Sequence, residues 1–265
     1  MGGYLGIKLV QGLSDELTLM DWHHRYQEQI SWTNAIRQHL FKIADLECSA
    51  HVLEVGSGTG ALLEKIHLED SFILYGVDIN EQVLQFSKTL TPDFHLTQAD
   101  GYLLPFSNSS FSATICHYLL LWVNDAAKIL SEMARVTKPG GAVIALAEPD
   151  HQARIDYPPP LDNLGEMQTH ALEGQGVNIQ IGRQLGALFK DCGFNRIETG
   201  ILGAQWTQKM DSERRSLEWE ALKADLHQTV DVDMLDHYHK IDIEALENGE
   251  RVLFIPTFYG IGFVE

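Results

Sequence analysis

Gly56, Gly58 and Gly60 follow Glu54 in "VLEVGSGTGALLEKI" (Val52 to Ile66), an apolar strand that enters a glycine loop and then a helix. Glycines at such a turn permit left-handed backbone and close approach to a ligand, and the helix start offers unsatisfied N–H donors. Gly56-x-Gly58-x-x-Ala61 satisfies the dinucleotide pattern G-x-G-x-x-G/A. Glu54-x-Gly56-x-Gly58-x-Gly60 fits equally well a ligand without phosphate, so the loop alone leaves both open. Asp78 closes the next apolar run, where a carboxylate accepts both hydroxyls of a ribose, a role that NAD-binding folds share. Asp100, in "TQADGYLLPF", is placed to accept from an adenine amino group while the N–H of Gly101 meets a ring nitrogen. His117, in "CHYLLLWVND", and Glu148, Asp150 and His151, in "AEPDHQARIDYPP", add groups that can move a proton.

Those residues need a frame to hold them. The chain has 265 residues, 45% hydrophobic and 21% charged, which suits one large α/β domain. No apolar run nears the roughly 18 residues of a membrane span. The start, "MGGYLGIKLVQGLSDE", lacks the basic end and long apolar stretch of a signal peptide. Cys48, Cys116 and Cys192 are scattered, which predicts reduced thiols in a cytoplasmic protein. A formal net charge of −18 repels nucleic acid and anionic lipid, and no basic cluster exceeds Arg214-Arg215. A small-molecule substrate is the expected partner; oligomeric state is not readable.

Residues 1–45 predict a helical cap, with Trp32, Ile36, Leu40 and Ile43 at helical spacing. From 46 to 202 strands and helices alternate: "HVLEVGS", "FILYGVD", "FHLTQAD", "SATICHY", "GAVIALAEPD" and "NRIETGILGAQW" as strands, with helical runs between them. Such alternation implies parallel strands joined by right-handed crossovers. "HQARIDYPPPLDNLG" is too rich in proline to be helical throughout, and Gly193 caps a helix before it. Residues 203–249 read as an acidic helical insertion, a lid delivered to the carboxyl edge of the sheet, where ligands bind in such folds. Residues 250–265 read as a terminal strand that Pro256 pushes toward a bulge or an edge. The whole is a single domain.

Strand ends bearing Glu54, Asp78 and Asp100, a Pro139-Gly140-Gly141 turn before strand five and two further strands resemble the class I S-adenosyl-L-methionine (SAM) dependent methyltransferases. The resemblance spans Leu46 to Glu148 well and the terminal strands loosely. It implies a Rossmann-like, mostly parallel seven-stranded sheet with helices on both faces and a helical cap. It implies SAM as cofactor, S-adenosyl-L-homocysteine as product, and methyl transfer to a small molecule. Contacts to the cofactor then fall on Tyr26, Glu54, Gly56, Gly58, Gly60, Asp78, Ile79, Asp100, Gly101 and His117. Charge agrees: Glu54 suits a cationic ligand and repels a pyrophosphate.

For proton transfer the candidates are His117, Asp150 and His151. His117 has as its alternative a histidine that shapes the pocket wall, and that alternative is favoured. The Asp150–His151 cluster has as its alternative a solvated turn shaped by Pro149. Tyr26 and Trp32 are candidates to close over the cofactor, against a plain core role. No metal is expected: His23-His24 and His237/His239 lack a third ligand at diagnostic spacing and read as exposed helix faces. "YPPP" is similar to the (D/N/S)-P-P-(Y/F) loop of DNA amino-methyltransferases, but it follows strand five and reads in the wrong order. Three rivals stay open: a nicotinamide oxidoreductase, a SAM-fold rearrangement or cyclisation enzyme, and a SAM-binding regulatory module.

Overall fold

The computed structural model describes residues 17–91, 93–202, 212–227 and 229–265, with backbone alone for 212–215. Strands β1 (His51–Val55), β2 (Ile73–Asp78), β3 (His95–Gln98), β4 (Phe111–Cys116), β5 (Thr137–Pro149) and β7 (Asn195–Ile201) run parallel. With the antiparallel β9 (Thr257–Phe263) they form one sheet in the order β3-β2-β1-β4-β5-β9-β7. β1, β4 and the second half of β5 are buried almost throughout because both of their faces are covered. On one face lie α5 (Ala126–Val136) and α7 (Ile181–Asp191), with Ile129, Met133, Leu185 and Phe189 in the core. On the other lie α1 (Leu19–Trp32), α2 (Asn34–Ile43) and α3 (Ala61–Glu69), which contribute Ile30, Leu40, Leu62 and Ile66. The expected Rossmann-like sheet, clad on both faces, is the fold observed.

Local chemistry accounts for the joints. α1 starts at a reciprocal capping box in which the Thr18 side chain bonds the Asp21 N–H and the Asp21 carboxylate bonds the Thr18 N–H. The second cap helix starts at Asn34, so Trp32 ends α1 and stands half exposed while Leu40 is fully buried. At the Pro-Gly-Gly turn, Gly140 has φ +77°, and a Cβ on Gly141 would lie 2.7 Å from the Ser112 carbonyl oxygen. Only glycine lets β5 come this close to the start of β4.

The last strands depart from expectation. Pro256 falls between two strands, β8 (Val252–Phe254) and β9, where no ladder N–H is needed, and its carbonyl accepts from the Asp150 N–H at 2.8 Å. β9 is therefore an interior strand paired on both sides, and β7 holds the edge. β8 pairs instead with β6 (Ile155–Tyr157) in a second, two-stranded sheet.

Residues 203–249, expected as a helical insertion, have an opening part, 203–211, that lies outside the described residues. Pro160 occupies the first turn of a helix, α6 (Pro160–Gly174), a position that needs no N–H. α6 packs with α8 (Ser212–Leu226) and α9 (Val232–Glu247) around Leu161, Leu164, Trp219, Leu226, Leu235 and Tyr238. Asp156 of β6 ties this layer together. It accepts from Arg154 Nε at 2.6 Å and from Arg251 Nη2 at 2.9 Å, and Arg251 Nε also reaches Asp242 of α9 at 2.6 Å. All three side chains of the Arg154–Asp156–Arg251 node are at most 8% exposed. Gly165 makes room for it, since a Cβ there would lie 2.2 Å from Asp156 Oδ2. Removing one member of a buried ion pair leaves charge uncompensated, at about 3–5 kcal/mol. Asp156→Ala is expected to lose that much stability in chemical denaturation; an unchanged midpoint would show that the node does not hold the lid.

Candidate functional site

The site is the carboxyl edge of β1, β2, β4 and β5, closed from one side by α1. Gly56, Gly58 and Gly60 have φ of +76°, +50° and +80°, values that side chains disfavour. Their surroundings differ. A Cβ on Gly56 would lie 2.8 Å from Leu119 Cδ1, and one on Gly60 would lie 2.2 Å from Ser87 Oγ, whereas one on Gly58 would meet nothing within 4 Å. Two of these glycines serve packing, and Gly58 alone faces open space.

Asp78 holds the loop in shape. Its Oδ2 accepts from the Gly58 N–H at 2.9 Å and its Oδ1 from the Asn80 N–H at 2.8 Å. Burial raises its pKa, and the N–H groups of Asn80, Gly58 and Ile79 pull it back. Glu54 is answered less well. It is 3% exposed and its Oε2 has no partner. Burial pushes its carboxyl well above the ordinary range, and nearby Asp78 adds to the rise. A buried carboxylate without a partner is costly, so this atom suits a cation or a donor supplied from outside. Asp100 is exposed beyond β3, its Oδ1 accepting from the Tyr102 N–H at 2.7 Å, while Gly101 is buried. The Ala99 N–H donates to the Asp78 carbonyl at 3.0 Å, so the two acids stand on adjoining strand ends.

The three candidates for proton transfer separate. His117 shares a face with Ala113 and Ile115 of β4, whose side chains pack in the core beneath α1 and α2. Its Nε2 has no partner, and burial, with help from Arg37, drops its pKa to about 3. It is a neutral wall residue at physiological pH. Asp150 is 1% exposed and already engaged: Arg183 grips it with Nε and, at 2.7 Å, with Nη2, and its Oδ1 caps the Ala153 N–H. These contacts weigh against the reading of Asp150 as a base. His151 keeps a buried, unpartnered Nδ1, and burial, then Arg154, lowers its pKa to about 4.

Residues 53–145 match the family model described as a methyltransferase domain. The match falls on β1 to β5, the strands whose carboxyl edge carries the candidate site. It is 36% identical over 100 residues to the demethylmenaquinone methyltransferase of Renibacterium salmoninarum, covering 38% of this chain and 41% of that protein. The chain spans about half the length of the first curated relatives it matches. In fold it resembles the YcgJ protein of Bacillus subtilis at TM-score 0.55 and 18% identity, over 86% of this chain and 97% of the other. It also resembles phosphoethanolamine N-methyltransferase 2 of Haemonchus contortus, solved with SAM, at TM-score 0.53 and 14% identity, over 85% and 51% of the two chains.

The α1 cap reaches the methyltransferase domain through residues that sequence reading passed over. His23 is buried, not on an exposed face: its Nδ1 bonds Thr59 Oγ1 in the glycine loop at 3.0 Å and its Nε2 bonds Glu64 of α3 at 3.2 Å. His24 and His237 are exposed as expected, while His239 stacks on Trp219 with ring centres 4.3 Å apart. Among the described residues no three His, Cys, Asp or Glu side chains gather to hold a metal ion. Two residues past His23, Arg25 forks onto Glu218 of α8 at 3.1 and 3.2 Å. Tyr26 is partly buried, its phenol raised first by burial, lowered by Arg25 and raised again by Asp78. Tyr118, in left-handed backbone at φ 51°, has its phenol pushed up to about 12 by burial. Arg25 and Tyr118 are revealed only by position in the fold, whereas Tyr26 was a candidate from the sequence; around Arg25 the local signal was the density of polar and aromatic groups in "DWHHRYQEQ".

The buried acid at position 54 sets a sign for pH. A carboxyl raised above its ordinary 4.5 keeps its proton in the folded chain and loses it on unfolding, so stability falls as pH climbs from there toward the raised pKa. Glu54→Gln, free of cofactor, is expected to gain stability relative to the parent as pH rises from about 5 to about 8. Denaturation midpoints at the two pH values check this; a variant less stable at the higher pH would contradict it.

Proposed function

We propose that this protein transfers a methyl group from SAM to a small-molecule acceptor. The observation that carries the reading is the unpartnered, buried Oε2 of Glu54 beneath a loop whose Gly58 leaves open space. This oxygen fits an ammonium, whose charge would favour the ionised form of Glu54, and it offers nothing to a pyrophosphate, which disfavours the nicotinamide reading. When bound, SAM supplies an electrophilic methyl group on a positively charged sulfur. Glu54 would accept from its amino group, Gly58 would let the backbone approach, Asp78 and Ile79 would face the ribose with Tyr26 above, and Asp100 and the Gly101 N–H would meet the adenine.

Toward the acceptor the chain offers positioning more than strong basicity. Asp150 is held by Arg183, and the His151 imidazole, lowered to about 4, is neutral near pH 7 with one open acceptor atom. His151 would therefore take a hydrogen bond from an acceptor that brings its own nucleophilic atom, and alignment would provide most of the effect. Relatives and neighbours named for demethylmenaquinone and phosphoethanolamine support a small-molecule acceptor. Free thiols at Cys48, Cys116 and Cys192 fit a reducing compartment, and the cytoplasm is the proposed setting. Among the described residues no helix is long and apolar enough to cross a membrane.

The test is a thermal-shift titration with SAM, S-adenosylhomocysteine, NAD and NADP, each alone. A ligand at about 100 times its Kd adds roughly 2.7 kcal/mol. Stabilisation by the two adenosyl ligands, lost in Glu54→Gln, is expected; a response to NAD or NADP alone would overturn the reading.

A further inference from the structure

Glu148, near the end of β5, is an acid at the edge where an acceptor would enter, yet it is turned inward and 0% exposed. Its Oε1 accepts from the N–H groups of Leu119 at 3.1 Å and Leu120 at 3.0 Å, and its Oε2 from that of Leu121 at 3.3 Å. These three amides open the 3₁₀ turn that follows β4, Leu120–Trp122. The same turn begins with Tyr118 in strained left-handed backbone, its N–H donated to the Ala147 carbonyl at 2.9 Å. Beyond it, the Leu121 carbonyl accepts from the Asn178 N–H at 2.9 Å. The turn presents Leu119 to the glycine loop, so close that Gly56 has no space for a Cβ. A chain of contact thus runs from Glu148 through Leu119 to Gly56.

We propose that Glu148 is a positioning residue for the cofactor: by accepting the amide hydrogens of Leu119, Leu120 and Leu121, its carboxylate holds Leu119 against Gly56 and shapes that wall of the cofactor cleft. The inference rests on the SAM reading above. Among the described residues no basic side chain pairs with Glu148. The groups that face it are the Cys116 thiol of β4, 3.9 Å from Oε1, and the Tyr118 phenol, with Glu54 of β1 beyond Cys116. From α7, Gly182 packs against the Glu148 backbone carbonyl and Arg183 is turned to Asp150. β9 contributes Phe258 opposite it in the ladder. Burial lifts the Glu148 carboxyl to about 7 and the three leucine amides draw it down. Ionised, its two oxygens answer all three donors; protonated, one oxygen carries a hydrogen and the match is lost. The turn, and with it the cleft wall, is held best above that pKa.

The test compares the full chain with Glu148→Gln, which keeps size and one acceptor oxygen. S-Adenosylhomocysteine is titrated calorimetrically from about pH 6 to about pH 8.5, and hydrogen exchange is read at the amides of Leu119, Leu120 and Leu121 without ligand. In the parent, affinity is expected to rise several-fold across that range. In Glu148→Gln it is expected to be about tenfold weaker at the upper end, with a shallower pH dependence that retains only the part Glu54 contributes, and the three amides exchange at least about tenfold faster. Glu148→Asp, which keeps the charge, is expected to restore the pH dependence in part. Parent-like affinity and pH profile in Glu148→Gln would overturn the proposal and leave Glu148 a fold residue. A parent chain that binds no S-adenosylhomocysteine would instead overturn the SAM reading, and the cofactor role of Glu148 with it.

Discussion

Three carboxyl groups, the buried Glu54 and Glu148 and the partly buried Asp78, stand at the ends of three strands that all point to one edge, and among the described residues no basic side chain pairs with any of them. Burial opposes their charge, and each must find hydrogen-bond donors or keep its proton. The backbone answers two of them. Asp78 takes the amides of Gly58 and Asn80, and Glu148 takes those of three consecutive leucines. Both answers bend the chain into the shape of the cleft: the first fixes the glycine loop and the second fixes the turn that touches it. Glu54 keeps an unanswered oxygen between them. Two of the acids build the cleft from the inside, and the third gives it a preference for positive charge.

The direction of one strand decides what lies above that edge. β7 runs parallel to β5 and ends at the same edge, so the lid leaves the sheet there. β9 must then enter from that edge and run back, which makes it antiparallel and places it between β5 and β7. The lid needs a footing because it hangs from two strand ends, and the β6–β8 pair with the Arg154–Asp156–Arg251 node provides it. Its small apolar core is separate from the two that clad the sheet. Function can therefore vary in the lid without disturbing the sheet, since few core contacts are shared between them.

Sequence spacing carried the parts of this site whose geometry is local. Glu54 and the glycines lie within one strand and its turn, and Asp78 and Asp100 close strands recognisable from their apolar runs. The parts that were hidden depend on partners far along the chain. Asp150 reads as a free base until Arg183 is seen upon it, and His23 reads as surface until Thr59 and Glu64 meet its two nitrogens. Glu148 reads as part of the acceptor edge, but alternation along β5 cannot show that its side chain turns toward the leucine amides. In the fold, α6 was masked by prolines that in fact sit at its start, and β6 and β8, three residues each, are too short to show a period. Pro256 was weighed as a flaw within a strand when it marks the space between two.

α1 joins the two halves of the problem. Along one helix, His23 and Gln27 grip Thr59 and Glu64 at the glycine loop and the helix it starts, while Arg25 grips Glu218 on the lid. A helix is stiff along its axis, so the glycine loop and α8 are anchored to one element through residues two positions apart. The bonds involved are few and partly buried, which makes each one count for more than a surface pair. Because His23 is neutral, its pKa lowered mainly by burial, its hold on the loop comes from directed hydrogen bonds and is not screened by salt. Arg25 and Glu218 differ in kind, as a forked ion pair whose geometry fixes orientation as well as distance. The glycine loop and α8 are thus both anchored to α1, by bonds of two different kinds.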